Sequence, residues 1–160
     1  MKLTMDRFLI LNGPNLNMLG IREPEIYGSK TLDELMAEVT AYASAREVKT
    51  KVFTSNSESA LIDKLHLAPA QYQGVVFNPA AFTHYSYALR DAVASISIPV
   101  VEVHLTDIEG REDFRKISVI APVCLAQYAG GGVKSYQRAI DRLIEFSVKQ
   151  AEAQTGKSYT

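Results

Sequence analysis

The chain has one cysteine, Cys124, in 160 residues, and no excess of charge of either sign. A single thiol excludes an intramolecular disulfide framework and agrees with a reducing compartment. With 17 basic and 18 acidic residues the formal net charge is −1, so the balance points to neither nucleic acid nor an anionic membrane. No apolar run is long enough to span a bilayer. Lys2, Asp6 and Arg7 crowd a very short apolar run at the N-terminus, which makes a poor secretory signal. The expected location is cytoplasmic. Internal repeats, low-complexity tracts and linkers are also missing, so residues 1–160 are read as a single domain. A polar tail after about residue 150 is expected to fray.

Further absences narrow the chemistry. No Gly-rich phosphate motif follows the first apolar run, because N-G-P-N holds one glycine and Pro14 removes an amide donor. The run Gly130, Gly131, Gly132 is too simple to count as one. The three histidines, His66, His84 and His104, lack close metal-ligand spacing, and no lysine stands where a Schiff base would single it out. Neither a metal nor an organic cofactor is expected. Cys124 lies in an apolar run and reads as core, and His66 falls on the polar side of a helical pattern.

What is present is alternation. Apolar runs that look buried on both faces alternate with helical patterns. Strands are expected at about residues 7–11, 51–53, 74–78, 98–105 and 118–126. The first helix is expected to start at Thr31, where T-L-D-E has capping-box spacing, with Leu32, Leu35, Met36 and Val39 on one face. Leu61, Ile62 and Leu65 mark a second helix, Leu89, Ala92, Val93 and Ile96 a third, and Ile140, Leu143, Ile144 and Phe146 a last one. This order predicts an α/β fold with a five-stranded parallel sheet covered by helices on both faces.

In open parallel sheets ligands bind beyond the carboxyl ends of the strands. The polar residues gather there: Asn12 and Asn15 after the first strand, Ser55 and Asn56 after the second, Asn78 and His84 after the third. In "VVEVHLT", Glu102, His104 and Thr106 share one face of a strand, and Val101, Val103 and Leu105 the other. A carboxylate beside a histidine favours imidazolium, a proton donor near neutral pH. A buried structural pair is an equal reading at this point. The loop N-G-P-N-L-N-M-L-G-I-R-E-P-E-I-Y-G adds Arg22 and Tyr27. Making tyrosine a base at neutral pH means lowering its pKa by about three units, roughly 4 kcal/mol, which needs a cation and desolvation together. Spacing alone slightly favours a packed Tyr27 and a solvated Arg22. Asn78, His84 and Arg115 offer donors for hydroxyls or a carboxylate, Arg115 through a forked pair, against a reading as helix caps and surface charge.

The stretches "LNGPNLNMLGIREPEIYG", "NPAAFTH", "LRDA" and "IPVVEVHLTDIEGREDFR" resemble the signatures of type II 3-dehydroquinate dehydratase, over about residues 8–146. That resemblance implies a flavodoxin-like fold, no metal or organic cofactor, and a homo-oligomer, commonly a dodecamer of trimers, with no nucleic acid or membrane partner. It implies that Tyr27 takes a proton from C2 of 3-dehydroquinate, that Arg22 on a lid stabilises the phenolate, and that Asn15 holds the enolate. His104 would protonate the departing hydroxyl, with Glu102 orienting and charging it. Asn78, His84, Leu105, Thr106 and Arg115 would bind substrate, Arg111 would support the site, and Asp91 would reach a neighbouring subunit. The chain departs from the family pattern at Ala80 (usually Gly), at Asp107 and Glu109 (usually Asn and His), and at Lys116 and Ile117 (usually two histidines). Carboxylates added there weaken anion binding if they face inward. A paralogue that binds a related cyclic hydroxy-acid without turnover is the alternative expectation. A flavin or nucleotide binder is a third, which the Pro-bearing first loop argues against.

Overall fold

The computed structural model describes residues 6–21, 23, 25, 28–107 and 112–157. Five parallel strands form one sheet: β1 (Asp6–Asn12), β2 (Val48–Thr54), β3 (Gly74–Asn78), β4 (Val100–Val103) and β5 (Ala126–Tyr128), in the order β2-β1-β3-β4-β5. This is the flavodoxin-like order. Among the described residues four α-helices alternate with the strands: α1 (Leu32–Ser44), α2 (Glu58–Leu67), α3 (Tyr87–Ser95) and α4 (Val133–Lys157).

Both faces of the sheet are covered, which is why the strands read as unbroken apolar runs. Phe8 and Ile10 of β1, Val76 of β3, and Val101 and Val103 of β4 pack under α1 and α4, against Leu35, Met36, Val39, Tyr136, Ile140 and Leu143. The alternate residues Leu9, Leu11, Val75, Phe77 and Val100 pack under α2 and α3, against Leu61, Leu65, Leu89 and Val93. The start of α1 follows the sequence signal, since the Thr31 side chain accepts the Glu34 amide at 3.2 Å. Ser57 and Ser86 cap α2 and α3 in the same way.

Four boundaries differ from expectation, the first being β2, which begins three residues early at Val48. β4 ends at Val103, and the His104 amide makes the last bond of the β4–β5 ladder, to the Tyr128 carbonyl at 2.9 Å. The run expected as the last strand forms instead a 3₁₀ turn at Ala121–Val123, with the strand only at Ala126–Tyr128. Pro122 sits in that turn, where its fixed φ and missing N–H are tolerated as they are not within a ladder. The C-terminal segment is helical beyond residue 151, α4 continuing to Lys157. Its last turns hold good helix formers such as Ala151, Glu152, Ala153 and Gln154.

The strand order reverses at β1, whose neighbours β2 and β3 lie on opposite sides. A crevice opens beyond the carboxyl ends at such a point. Gly13 makes it possible here. Its amide donates to the Asn78 carbonyl at 2.7 Å, and a Cβ at this position would lie 2.6 Å from the Pro79 carbonyl oxygen. The exits of β1 and β3 are thereby drawn together.

Candidate active site

A cleft of about 140 Å³ lies at that crevice, and Asn15, Asn78, His84, His104, Leu105, Thr106 and Arg115 all line it, with Ala80 among the apolar walls. Seven of the positions singled out from sequence therefore meet in one place, although they follow three different strands. Asn15 turns into the cleft through a left-handed backbone (φ 67°), which asparagine tolerates, and the Asn56 side chain holds its amide at 2.9 Å. Asn56 follows β2, so two strand exits fix this one residue.

Asn12 and Asn78, at the ends of the paired strands β1 and β3, are tied together beneath the cleft by a tyrosine that sequence reasoning missed. The fully buried Tyr136 of α4 donates to Asn12 Oδ1 at 2.8 Å and accepts from Asn78 Nδ2 at 2.9 Å. Burial pushes its phenol pKa up, so it stays a neutral donor. The only hint in the sequence was a tyrosine placed on the apolar face of the last helix.

His84 and Arg115 form one wall. His84 Nδ1 lies 2.7 Å from the Ile117 carbonyl, which can only accept, so that nitrogen carries the proton. Partial burial lowers the imidazole pKa, helped by the charges of His104 and Arg115 and opposed by the Ile117 bond and Glu102. The ring is thus neutral near pH 7, with Nε2 free to accept from a hydroxyl. The Arg115 Nε is buried and, among the described residues, finds no hydrogen-bond acceptor; Glu112 Oε2 stands 3.6 Å off. An arginine whose buried Nε lacks a hydrogen-bond acceptor, at the wall of a cleft, suits a carboxylate.

His104 is backed by Glu102. The carboxylate is fully buried on β4, and its Oε1 lies 3.3 Å from His104 Nε2. The contact is one of charge and not an aligned hydrogen bond, because the ring N–H points off the line and Nε2 has no partner that meets hydrogen-bond geometry. Thr83, Ser118 (2.7 Å) and Gln127 (2.5 Å) donate to the same carboxylate. Burial alone raises the Glu102 pKa; His104 and the hydroxyls of Thr83 and Ser118 outweigh it and hold the group below the ordinary glutamate range. Glu102 is an anion that water does not reach. Sequence reasoning named Glu102 and His104 but missed Thr83, Ser118 and Gln127 as their partners. Gln127 is directly opposite Glu102 in the β4–β5 register, so a correct β5 would have exposed it.

The remaining positions fall elsewhere. Arg22, Tyr27, Glu109 and Arg111 lie outside the described residues. Asp91 is exposed on α3 and does not line the cleft of its own chain. Asp107 is exposed too, and lines a separate outer depression with Lys116, Ser118 and Gln127. No cluster of three or more potential metal-binding His, Cys, Asp or Glu side chains occurs among the described residues. No described helix is long and apolar enough to cross a membrane.

Comparison with known proteins gives consistent matches. A family model described as "Dehydroquinase class II" matches residues 6–144. The chain is 56% identical over 140 residues to a 3-dehydroquinate dehydratase of Bacillus pumilus, covering 88% of this chain and 95% of that protein. It is 51% identical over 140 residues to the Bacillus subtilis protein of the same name, with the same coverage, 88% and 95%. Among solved structures, a type II dehydroquinase from Butyrivibrio crossotus superposes with a TM-score of 0.85 at 46% identity, over 87% of this chain and 97% of that one. The type II dehydroquinase of Propionibacterium acnes superposes with a TM-score of 0.84 at 38% identity, over 89% and 98%.

Proposed function

Because the chain belongs to the class II dehydroquinase family, we propose that it removes water from 3-dehydroquinate to give 3-dehydroshikimate, with the described cleft as its active site and His104 as the proton donor. The observation that carries this reading is His104 at the cleft wall with the buried Glu102 anion 3.3 Å behind its ring. Elimination beside a ketone needs a base for the C2 proton, a place for charge on oxygen, and an acid for a poor leaving group. His104 is the acid, with the Glu102 anion behind its ring to orient it. Asn15, held from behind by Asn56, faces the enolate oxygen. Tyr27 is the base and Arg22 its charge partner, roles that rest on the family resemblance of the first loop.

The substrate carries one carboxylate and several hydroxyls. Arg115 takes the carboxylate, since its buried Nε is without an acceptor. His84 Nε2 accepts a hydroxyl proton, and the second N–H of the Asn78 amide remains available after its bond to Tyr136. Asp91 serves a neighbouring subunit in a homo-oligomer. Tyr85, Tyr87, Phe114 and Ile117 expose large apolar side chains on the segments around Asp91 and Arg115, as a protein interface there would require. The reaction needs no cofactor, and its product feeds aromatic biosynthesis or comes from quinate breakdown.

The non-catalytic alternative drew its support from the altered loop after His104. Asp107 lies on the outer depression, so its carboxylate does not meet an anion in the cleft. The test is turnover of purified protein with 3-dehydroquinate and a chelator present, following the ultraviolet absorbance of the conjugated product. Turnover supports the enzyme. Binding of substrate without turnover returns the alternative.

A further inference from the structure

Oε1 of Glu102 has three suitors. Thr83 and Ser118 donate hydroxyl protons to it, and His104 Nε2 stands 3.3 Å away without an aligned bond. One carboxylate oxygen offers about two lone-pair directions, so the imidazole is the donor left out. Oε2 cannot relieve the competition, because Gln127 occupies it at 2.5 Å.

The serine decides the contest. Ser118 Oγ already accepts the amides of Ile120 at 3.2 Å and Ala121 at 3.0 Å, so both its lone pairs are engaged. It can therefore only donate its single hydrogen. Two acceptors lie within reach, Glu102 Oε1 at 2.7 Å and Thr83 Oγ1 at 2.8 Å. Thr83 in turn gives its hydrogen to Glu102 and keeps its lone pairs free.

We propose that Ser118 and Thr83 are positioning residues that set how firmly Glu102 grips His104, the Ser118 hydroxyl turning between Glu102 and Thr83 as His104 gains and loses its proton. With imidazolium present, Ser118 points to Thr83 and Nε2–H takes the vacated lone pair. Nε2 faces Glu102, so the proton given to the leaving hydroxyl comes from Nδ1, and the neutral ring keeps Nε2–H. Ser118 then swings back to Glu102, and its O–H dipole offsets the loss of the imidazolium charge beside the carboxylate. No proton crosses the serine; one O–H bond rotates. The weakened grip keeps His104 a willing acid, where an unshared carboxylate would hold the proton too tightly. The inference rests on His104 being the proton donor of the reaction.

The other ionisable groups near the pair are His84, whose charge interacts with both members, Arg115 beside His84, and the Cys124 thiol, pushed up to about 12 by burial and by the Glu102 charge and so neutral throughout. Asp107 shares the outer depression with Ser118 and Gln127. None of the four accounts for a change that follows removal of a hydroxyl.

The test compares wild type with Thr83→Val, which keeps the side-chain shape and removes one donor from Oε1. In ¹⁵N-histidine-labelled protein the His104 Nε2–H resonance is expected to move downfield, since its bond to Glu102 becomes aligned. The alkaline limb of the kcat profile is expected to move up by about one pH unit, with kcat several-fold lower. Thr83→Ser restores both. Ser118→Ala shifts both in the same direction, and serves if the valine variant folds poorly. A lower kcat with the resonance and the limb unmoved would show a purely structural role and overturn the proposal. The resonance is read without turnover, so a wild type that failed to dehydrate 3-dehydroquinate would sink the dehydratase reading separately.

Discussion

At Ala80 the backbone takes φ 52°, in the left-handed region. An L side chain there costs about 1–2 kcal/mol, and the glycine usual at this family position avoids that cost. Ala80→Gly is therefore expected to raise Tm by a few degrees, about 1 kcal/mol, by differential scanning calorimetry; a lower Tm would mean that the Ala80 methyl packs well enough to repay its strain. Arg115→Lys keeps the charge but loses the forked geometry, so KM for 3-dehydroquinate should rise about tenfold or more in steady-state assays while kcat changes little. The polar positions were legible because asparagine, histidine and arginine at strand exits have few other reasons to be there. Tyr136, Thr83 and Ser118 were not. A buried tyrosine resembles any other core aromatic in sequence, and a hydroxyl beside a histidine resembles a cap, until the fold sets them against Asn12 and Glu102.

Elements place these residues, and the exits of β1 and β3 matter most. Gly13→Ala would put a methyl 2.6 Å from the Pro79 carbonyl oxygen, against backbone that cannot turn aside. Stability should fall by about 2 kcal/mol or more in urea unfolding, and kcat should fall with it because the same displacement moves Asn15. The parallel sheet and helices α1 to α4 could be read from periodicity, and the start of α1 from its capping box. β5 could not. Three residues at a sheet edge are too few to show a period, and the longer apolar run beside them hides a proline turn. The continuation of α4 to Lys157 was hidden for the opposite reason, since polar helix formers without an apolar stripe look like a tail.

For the whole molecule, folding releases protons from two groups in the site. The pKa of His84 is lowered from 6.5 and that of Glu102 from 4.5. A group whose folded pKa lies below its unfolded value contributes stability that is full above the unfolded value and is lost as pH falls through the folded one. Stability in urea should therefore begin to decline as pH drops below about 6.5 and decline again below about 4.5; His84→Asn should remove the first step and leave the second. The family reading joins this titration to one reaction, with base and acid assigned to different loops. The most direct measurement is deuterium uptake at C2 of 3-dehydroquinate in D₂O, run alongside turnover for wild type, Tyr27→Phe and His104→Asn. The assignment predicts that His104→Asn loses about 10²–10⁴-fold in dehydration yet still exchanges C2 hydrogen, while Tyr27→Phe does neither. Exchange that survives in Tyr27→Phe, or dehydration that survives in His104→Asn, would contradict it.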